Sequence, residues 1–447
     1  MRSAFTNCSS ARRALADARY AFWWLAIVLL IGSLHRSPTY AATILRTDRV
    51  WNAAAHNAFT DLVWYDGRFV LAFREGTVHG VPPVSQPGGF LRVLQSSDGL
   101  SWNSAALIQG TSNEDLRDAK LSVTPDNRLM LTGAAAFKNA TSERQSKVWF
   151  SNDATNWTAP VNIGDYNYWL WGTTWHNGQV YGVGYGPTNT SVADRDKRVT
   201  RLYRGSDGTD FNALVSPLAA NSGLTGSGET ALLFRTDGTA VVLSRRDSGN
   251  FESLIGTSNG DYTQWNWHVV PERTGGPELI ELPDGRIVAA SRRFVGKQTT
   301  TALFWLDPAA GTLTHFLTLP AGGDTSYAGM VWRNDLLWVS YYSSHEGKAS
   351  IYVSQIQIPL EPPQLDSDYN SSRKVDAADY VMWRKSTGDG AGHELWRSNF
   401  GADLTASGKV IAADLGPAPL GFLPWIVLSA WNGSLHQYLQ GTWKSSG

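Results

Sequence analysis

A short polar turn recurs along this chain at nearly constant spacing, and it limits the possible folds more than any other feature. "SSDGLSW" ends at Trp102, "SNDATNW" at Trp157, "GSDGTDF" at Phe211 and "TSNGDYTQW" at Trp265, with "WLDPAAGTL" further on. Aligned on Asp98, Asp153, Asp207, Asn259 and Asp307, the turns repeat about every fifty residues, the length of one four-stranded propeller blade. Asp98, Asp153 and Asp207 are expected to accept hydrogen bonds from the amides of their own turns, with the following aromatic packed between blades.

A second repeat interleaves with the first. "AFTDLVWYDGRFVLAF", "AKLSVTPDNRLMLTG", "WGTTWHNGQVYGVGYG", "TALLFRTDGTAVVLS", "ELIELPDGRIVAAS" and "SYAGMVWRNDLLWVS" each read as strand, turn, strand. Asp66-Gly67, Asn177-Gly178, Asp237-Gly238 and Asp284-Gly285 are hairpin turns by residue type, because Asn/Asp-Gly tolerates positive φ. The last hairpin is followed only by "ASIYVSQIQI" and lacks a fourth strand. "ATILRTDRVW" (42–51) can supply it. The expected fold is an all-β, six-bladed β-propeller over 42–360.

Composition narrows the function classes. A formal net charge of −1 argues against a nucleic-acid binder, which carries a basic surface. The 20 Trp and 43 Gly suit many short strands and tight turns, and most of the indoles are expected in the core. Arg2, Arg12, Arg13 and Arg19 precede the apolar run "AFWWLAIVLLIGSL", and "SPTYAA" follows. That pattern is a signal peptide over 1–41, with an uncleaved anchor as the alternative. The only cysteine, Cys8, lies inside it, so an exported chain would have neither disulfide nor cysteine nucleophile.

The repeated turns resemble the Asp-boxes of the sialidase superfamily, Ser-x-Asp-x-Gly-x-x-Trp, here one residue shorter between Asp and Trp. The resemblance implies six blades and a site on the propeller axis. It also implies a Glu at the start of a middle-blade hairpin and an Arg at that hairpin's end. "SGETALLFRTDGTAVVLSRRD" offers Glu229 and then Arg245 and Arg246. The next blade offers Arg292 and Arg293, and "TSYAGMVW" places Tyr327 where the family carries its tyrosine. One of Tyr341 and Tyr342 is expected at the pocket. A keto-sugar acid carries a carboxylate on its anomeric carbon, which arginines clamp with paired charge-assisted bonds. A carboxylate nucleophile would be repelled there, whereas a tyrosine whose proton a nearby Glu can take would not. One member of each Arg pair is expected to point away, because neighbours in a strand face opposite sides.

The first blade departs from the family pattern. His56 and Asn57 stand near the position of the family's first arginine. Arg74, or Arg117 with Asp118 and Lys120 beside it, is the candidate replacement. The family's general-acid Asp is missing from its loop, leaving Glu75, His79, Asp61 and Asp118 as candidate proton donors. Trp169, Trp171 and Trp175 would share one strand face if alternation holds, as a sugar-stacking wall or as inner-strand core; Trp171 is the candidate for substrate contact.

Residues 361–366 read as a Pro-rich linker. Beyond it, Asp368, Asn370, Ser372, the Lys374 carbonyl, Asp376 and Asp379 match the alternating oxygen ligands of a calcium loop. With the helix that follows, 367–415 resembles a small α-helical dockerin-type module, in which 403–414 is a weaker second loop. Residues 416–447 match no motif. Together these readings lead to an exported sialidase-like exo-glycoside hydrolase acting on a terminal acidic sugar by a retaining mechanism. It would use no catalytic cofactor, with Ca2+ and a docking partner expected only at the C-terminal module. A non-catalytic glycan-binding propeller and a polysaccharide lyase using Tyr and His are the rival readings.

Overall fold

The protein is described by a computed structural model covering residues 41–140, 143–187, 198–360, 367–370, 372, 374–386 and 390–402. The expected leader up to residue 40, the linker, the second loop and the tail lie outside the described residues. Contacts divide the chain into two units, 1–361 and 362–447. Among the described residues, no helix is long and apolar enough to cross a membrane.

The first unit is six four-stranded antiparallel sheets. Blade one is β2 (His56–Tyr65), β3 (Arg68–Gly76), β4 (Phe90–Ser96) and β5 (Asn103–Ile108). Blade two is β6 (Glu114–Val123), β7 (Leu129–Phe137), β8 (Arg144–Ser151) and β9 (Val161–Ile163). Blade three is β10 (Trp169–His176), β11 (Gln179–Pro187), β12 (Arg198–Gly205) and β13 (Asn212–Val215). Blade four is β14 (Ser227–Phe234), β15 (Ala240–Arg246), β16 (Ser253–Ser258) and β17 (Asn266–Val270). Blade five is β18 (Glu278–Glu281), β19 (Ile287–Val295), β20 (Gln298–Asp307) and β21 (Thr312–Thr318). Blade six is β22 (Thr325–Arg333), β23 (Leu336–Ser343) and β24 (Ser350–Gln357), and β1 (Thr43–Trp51) completes it. β1 pairs antiparallel with β24 from Thr43↔Gln357 to Trp51↔Ile351, so the ring closes on the N-terminal strand as the hairpin count requires.

The local chemistry explains the blades. Asp66 and Gly67 both adopt positive φ, as do Asn177 and Gly178, the geometry of a two-residue hairpin turn. The polar break in blade six does the same with Asn334 and Asp335. At the turns between third and fourth strands, Asp98 accepts the amides of Leu100 and Ser101. Asp153 accepts those of Thr155 and Asn156, and Asp207 those of Thr209 and Asp210. In blade four the carboxylate is Asp261, not Asn259: Asp261 accepts the Thr263 amide. The Trp265 indole donates to the carbonyl three residues back, as Trp102 and Trp157 do. That register gives Asp261 the same four-residue step to its Trp as the other turns. The core is divided among six clusters, each between neighbouring blades. Phe69, Leu71 and Phe73 of blade one, for example, pack with Trp338, Ile351 and Val353 of blade six.

The second unit shows two short helices, α1 (Ala377–Ser386) and α2 (Gly390–Asn399). Tyr380 and Trp383 of α1 pack against His393 of α2, and Tyr380 also meets Trp396. In the first turn of α1, Asp379 is fully buried and its carboxylate accepts the amides of Asn370 and Asp376 from the loop ahead. Asp368 and Asn370 both accept the Ser372 amide. Ser372 donates to the Lys374 carbonyl, and Asp376 accepts the Ala378 amide. The loop therefore folds around its own side-chain oxygens. The two short helices are what the described residues show of the expected dockerin-type module; the rest of 367–415 lies outside them.

Candidate active site

Five of the six innermost strands break register at the same height. The pairing skips two residues on the inner strand against one on its partner at Phe59-Thr60, Asp118-Ala119, Trp171-Gly172, Gly228-Glu229 and Tyr327-Ala328. These are β-bulges, which re-aim a side chain and tighten the local twist. Phe59, Asp118 and Tyr327 sit at positive φ within them, a conformation non-glycine residues take only where the surroundings impose it. The bulges bring Glu229 and Tyr327 together.

The Tyr327 hydroxyl donates to Glu229 Oε1 at 2.6 Å. Arg245 Nη1 donates to both Glu229 oxygens at 2.9 Å, and the Gly276 amide donates to Oε2 at 2.6 Å. Burial alone would push the Glu229 carboxyl up. The Arg245 charge and the bonds from Tyr327 and Gly276 outweigh it and hold the group at about 2. Burial and the Glu229 charge drive the Tyr327 phenol well above its ordinary value, so the shared proton rests on the tyrosine. Gly276 has φ +60°, and a Cβ there would lie 2.7 Å from the Tyr327 ring.

This pair lies on a cavity of about 660 Å³, also lined by His79, Arg117, Arg245 and Arg292. Arg245 is held by Asp247. Arg292 donates to the Tyr342 hydroxyl at 3.0 Å and to the Thr325 carbonyl at 2.8 Å. Tyr342 donates to Asp324 at 2.7 Å, and His56 and His79 share the other oxygen of Asp324 at 2.9 and 2.7 Å. Burial opposes the Asp324 charge, but these hydrogen bonds hold its carboxyl far below the usual range. Among the described residues, His56, His79 and Asp324 form a group whose ligand atoms lie within 4.8 Å of one another. A metal-bound imidazole needs an acceptor for its other N–H, and the buried His56 Nδ1 has none. The trio is accounted for as a hydrogen-bonded hub behind Arg292.

Asp118 is 6% exposed, and among the described residues nothing hydrogen-bonds to its carboxylate. Burial pushes its carboxyl up, Arg117 pulls it back and Glu229 pushes again, leaving it at about 6. Its charge also acts on Tyr327.

Other sequence candidates lie elsewhere. Arg74 is fully buried and donates to Asp115 and to the Val78 carbonyl. Arg117, tied to the same Asp115 and to the His79 carbonyl, is the blade-two arginine on the cavity. Arg246 turns to Glu252 and the Thr225 carbonyl. Arg293 acts on His315 of β21 instead of lining the cavity. Glu75 is taken by Trp51 and Arg92. Asp61 accepts the amides of Leu62 and Leu121 and lines a second cavity of about 200 Å³ with Lys120, Trp171 and Glu278, reached further along the inner strands. Trp171 is buried under the Tyr327 ring at 5.1 Å and donates to the Pro277 carbonyl. It is core beneath the site, and the bulge after Leu170 separates it from Trp175, which packs in a different cluster. His56 and Tyr342 act through Asp324 and Arg292. Trp169, named in the sequence as part of a possible sugar-stacking wall, does line the cavity; Phe59, Asp247, Asp324 and the cavity-lining Tyr185, Arg144 and Arg198 carry no turn or box signal in the sequence.

No protein-family profile matches the chain, and no curated protein does. Solved structures do. A protein of unknown function from Dyadobacter fermentans aligns at 16% identity and TM-score 0.59, over 72% of this chain and 100% of that one. An α-L-arabinanase from Penicillium chrysogenum aligns at 14% and 0.51, over 70% and 98%. A mutant sialidase from Trypanosoma rangeli aligns at 14% and 0.50, over 67% of this chain and 54% of that one. The fold is thus a six-bladed propeller with structural neighbours among sialidases, arabinanases and arabinofuranosidases.

Proposed function

We propose that the chain is a retaining exo-glycosidase for a terminal acidic sugar, with Tyr327 as nucleophile, Glu229 as its base and Asp118 as acid. One observation carries this reading: the 2.6 Å Tyr327–Glu229 contact at a cavity lined by Arg117, Arg245 and Arg292. The arginines suit a substrate carboxylate. A carboxylate that draws Arg245 away from Glu229 removes the main charge holding that carboxyl down, and so makes it a better base when the sugar is in place.

In the first step the phenolic proton passes to Glu229 as the Tyr327 oxygen bonds to the anomeric carbon. The glycosidic bond breaks, and the departing oxygen takes the proton of Asp118. In the second step water gives a proton to the Asp118 carboxylate and displaces Tyr327, which recovers its proton from Glu229. Export by the leader at 1–41 belongs to the same proposal, as does calcium held by Asp368, Asn370, Ser372, the Lys374 carbonyl, Asp376 and Asp379.

The test is a panel of fluorogenic sialosides, other acidic ketosides and uronides. A fluorinated analogue of whichever substrate turns over should then leave its sugar on the peptide containing Tyr327, as read by mass spectrometry. Hydrolysis of none of the panel would leave the glycan-binding reading, and an unsaturated product would indicate a lyase.

A further inference from the structure

The cavity contains more positive charge than one acidic sugar requires. At one end the Trp169 and Tyr185 rings stack with centroids 6.4 Å apart and planes 13° from parallel. The Arg144 guanidinium lies over both, 5.6 Å from the Trp169 ring and 5.5 Å from the Tyr185 ring. Arg198 lies 5.3 Å from the Tyr185 ring. All four residues line the cavity.

Their polar groups are underused. Arg144 is 6% exposed, yet it pairs with no carboxylate among the described residues; its Nε donates to the Asn167 carbonyl and its Nη2 has no acceptor. Arg198 shares Asp247 with Arg245, reaching it at 3.4 Å, and among the described residues the Arg198 Nε has no partner. Among the described residues the Trp169 indole N–H is also without an acceptor. Glu143, which lines the cavity along with Glu229 and Asp247, is exposed and accepts the Tyr166 hydroxyl. By contrast Arg117, Arg245 and Arg292 each have a carboxylate within 4.0 Å, as does Arg198 in Asp247; among the described residues Arg144 is the cavity arginine without one. A desolvated cation without a counter-ion is costly. Every orphaned group at this end is a donor, so the missing group is an acceptor, and an anion suits two adjacent guanidinium groups best.

We propose that Arg144, Arg198, Trp169 and Tyr185 form a second subsite that takes an anionic group on the sugar next to the reacting one. The substrate class is then an acidic oligosaccharide charged on consecutive units, either as carboxylate or as sulfate ester. The subsite is linked to Glu229 through Arg245 and Asp247, which places it beside the reacting sugar. The substrate assignment rests on the glycosidase reading above; the anion site itself does not.

Two measurements test it. Crystals of the full chain soaked in sodium sulfate should show an anion between Arg144 and Arg198, absent from the Arg144→Gln and Arg198→Gln variants. On the substrate identified by the panel, kcat/KM is compared for disaccharides whose second unit is neutral, a uronate or sulfated. The preference for a charged second unit should fall roughly tenfold or more in either variant, and the uronate and sulfate arms tell the two anions apart. No sulfate at this position, or an unchanged preference, would overturn the subsite. Sulfate that binds there without competing against any charged disaccharide would also overturn it, as an adventitious ion only. If nothing is hydrolysed but sulfate and charged disaccharides bind in competition at Arg144, the subsite stands and the glycosidase reading falls.

Discussion

Tyr327 and Glu229 are 98 residues apart in sequence and 2.6 Å apart in space. Each belongs to the unpaired couple of a bulge, Tyr327 in β22 and Glu229 in β14. The contact therefore depends on two matching irregularities in blades four and six.

Replacing Tyr327 with Phe removes one hydroxyl and keeps the ring against Phe59, Trp171 and Tyr342. Folding should be retained while turnover falls on the order of 10²-fold or more. Single-turnover kinetics on the identified substrate reads this directly. Turnover within a few-fold of the parent would remove Tyr327 from the mechanism.

The pH profile follows from two carboxyls. Glu229, held at about 2, is ionised over the whole working range. Asp118, raised to about 6, must carry its proton to act as the acid. The proton is lost as pH rises, so kcat/KM should fall above about pH 6 and stay level below it until Glu229 protonates. Asp118→Asn should lower the rate and abolish that limb. A limb that persists in the variant would assign it to another group.

Gly276→Ala probes the support of the pair. The added Cβ meets the Tyr327 ring at 2.7 Å, and alanine is strained at φ +60°. The expected cost is about 1 kcal/mol or more in urea denaturation, with a loss of activity in the molecules that remain folded. A variant as stable and as active as the parent would show that the ring can give way.

Lys120 is buried on the lower cavity and pairs with Glu278 at 2.6 Å, near Asp61. Burial raises the Asp61 carboxyl, with Lys120 opposing and Glu278 adding to the rise. Lys120→Met leaves two carboxyls without their cation and should cost roughly 3 kcal/mol. Adding Glu278→Gln should recover part of that loss. Additive effects in the double-mutant cycle would mean that the two side chains do not interact.

Calorimetric titration of the full chain with calcium should show binding at or below millimolar levels, weakened roughly tenfold or more by Asp368→Asn. Absence of heat at those concentrations would remove calcium from the account of the second unit.

The blades were legible in the sequence because their signals are local. Asp66-Gly67 sets its own backbone, Asp98 binds amides two and three residues on, and the alternation of each hairpin decides its buried face. Blade count and closure by β1 follow from such signals once they are tallied. The misaligned fourth turn, read at Asn259 where Asp261 acts, was a failure of alignment over an inserted residue rather than of the chemistry.

The site was legible only in its residue types. Glu229, Arg245, Arg292 and Tyr327 could be chosen by order along the chain, but which of two neighbouring arginines faces the axis depends on strand parity. A bulge shifts that parity by one residue without a composition of its own. The same shift buries Trp171 beneath Tyr327 and leaves Asp118 close to Glu229. Arg74 and Arg117 were alternatives for one position; both pair with Asp115, and Arg117 is the one that also lines the cavity. Asp324 as the partner of His56, His79 and Tyr342, and Arg144 beside Arg198 with no carboxylate of its own among the described residues, join residues from different blades. The sequence by itself determined the local turns and the number of strands. The tertiary structure decided which side chains meet on the axis, because those contacts depend on the closure of the ring and not on any short stretch of chain.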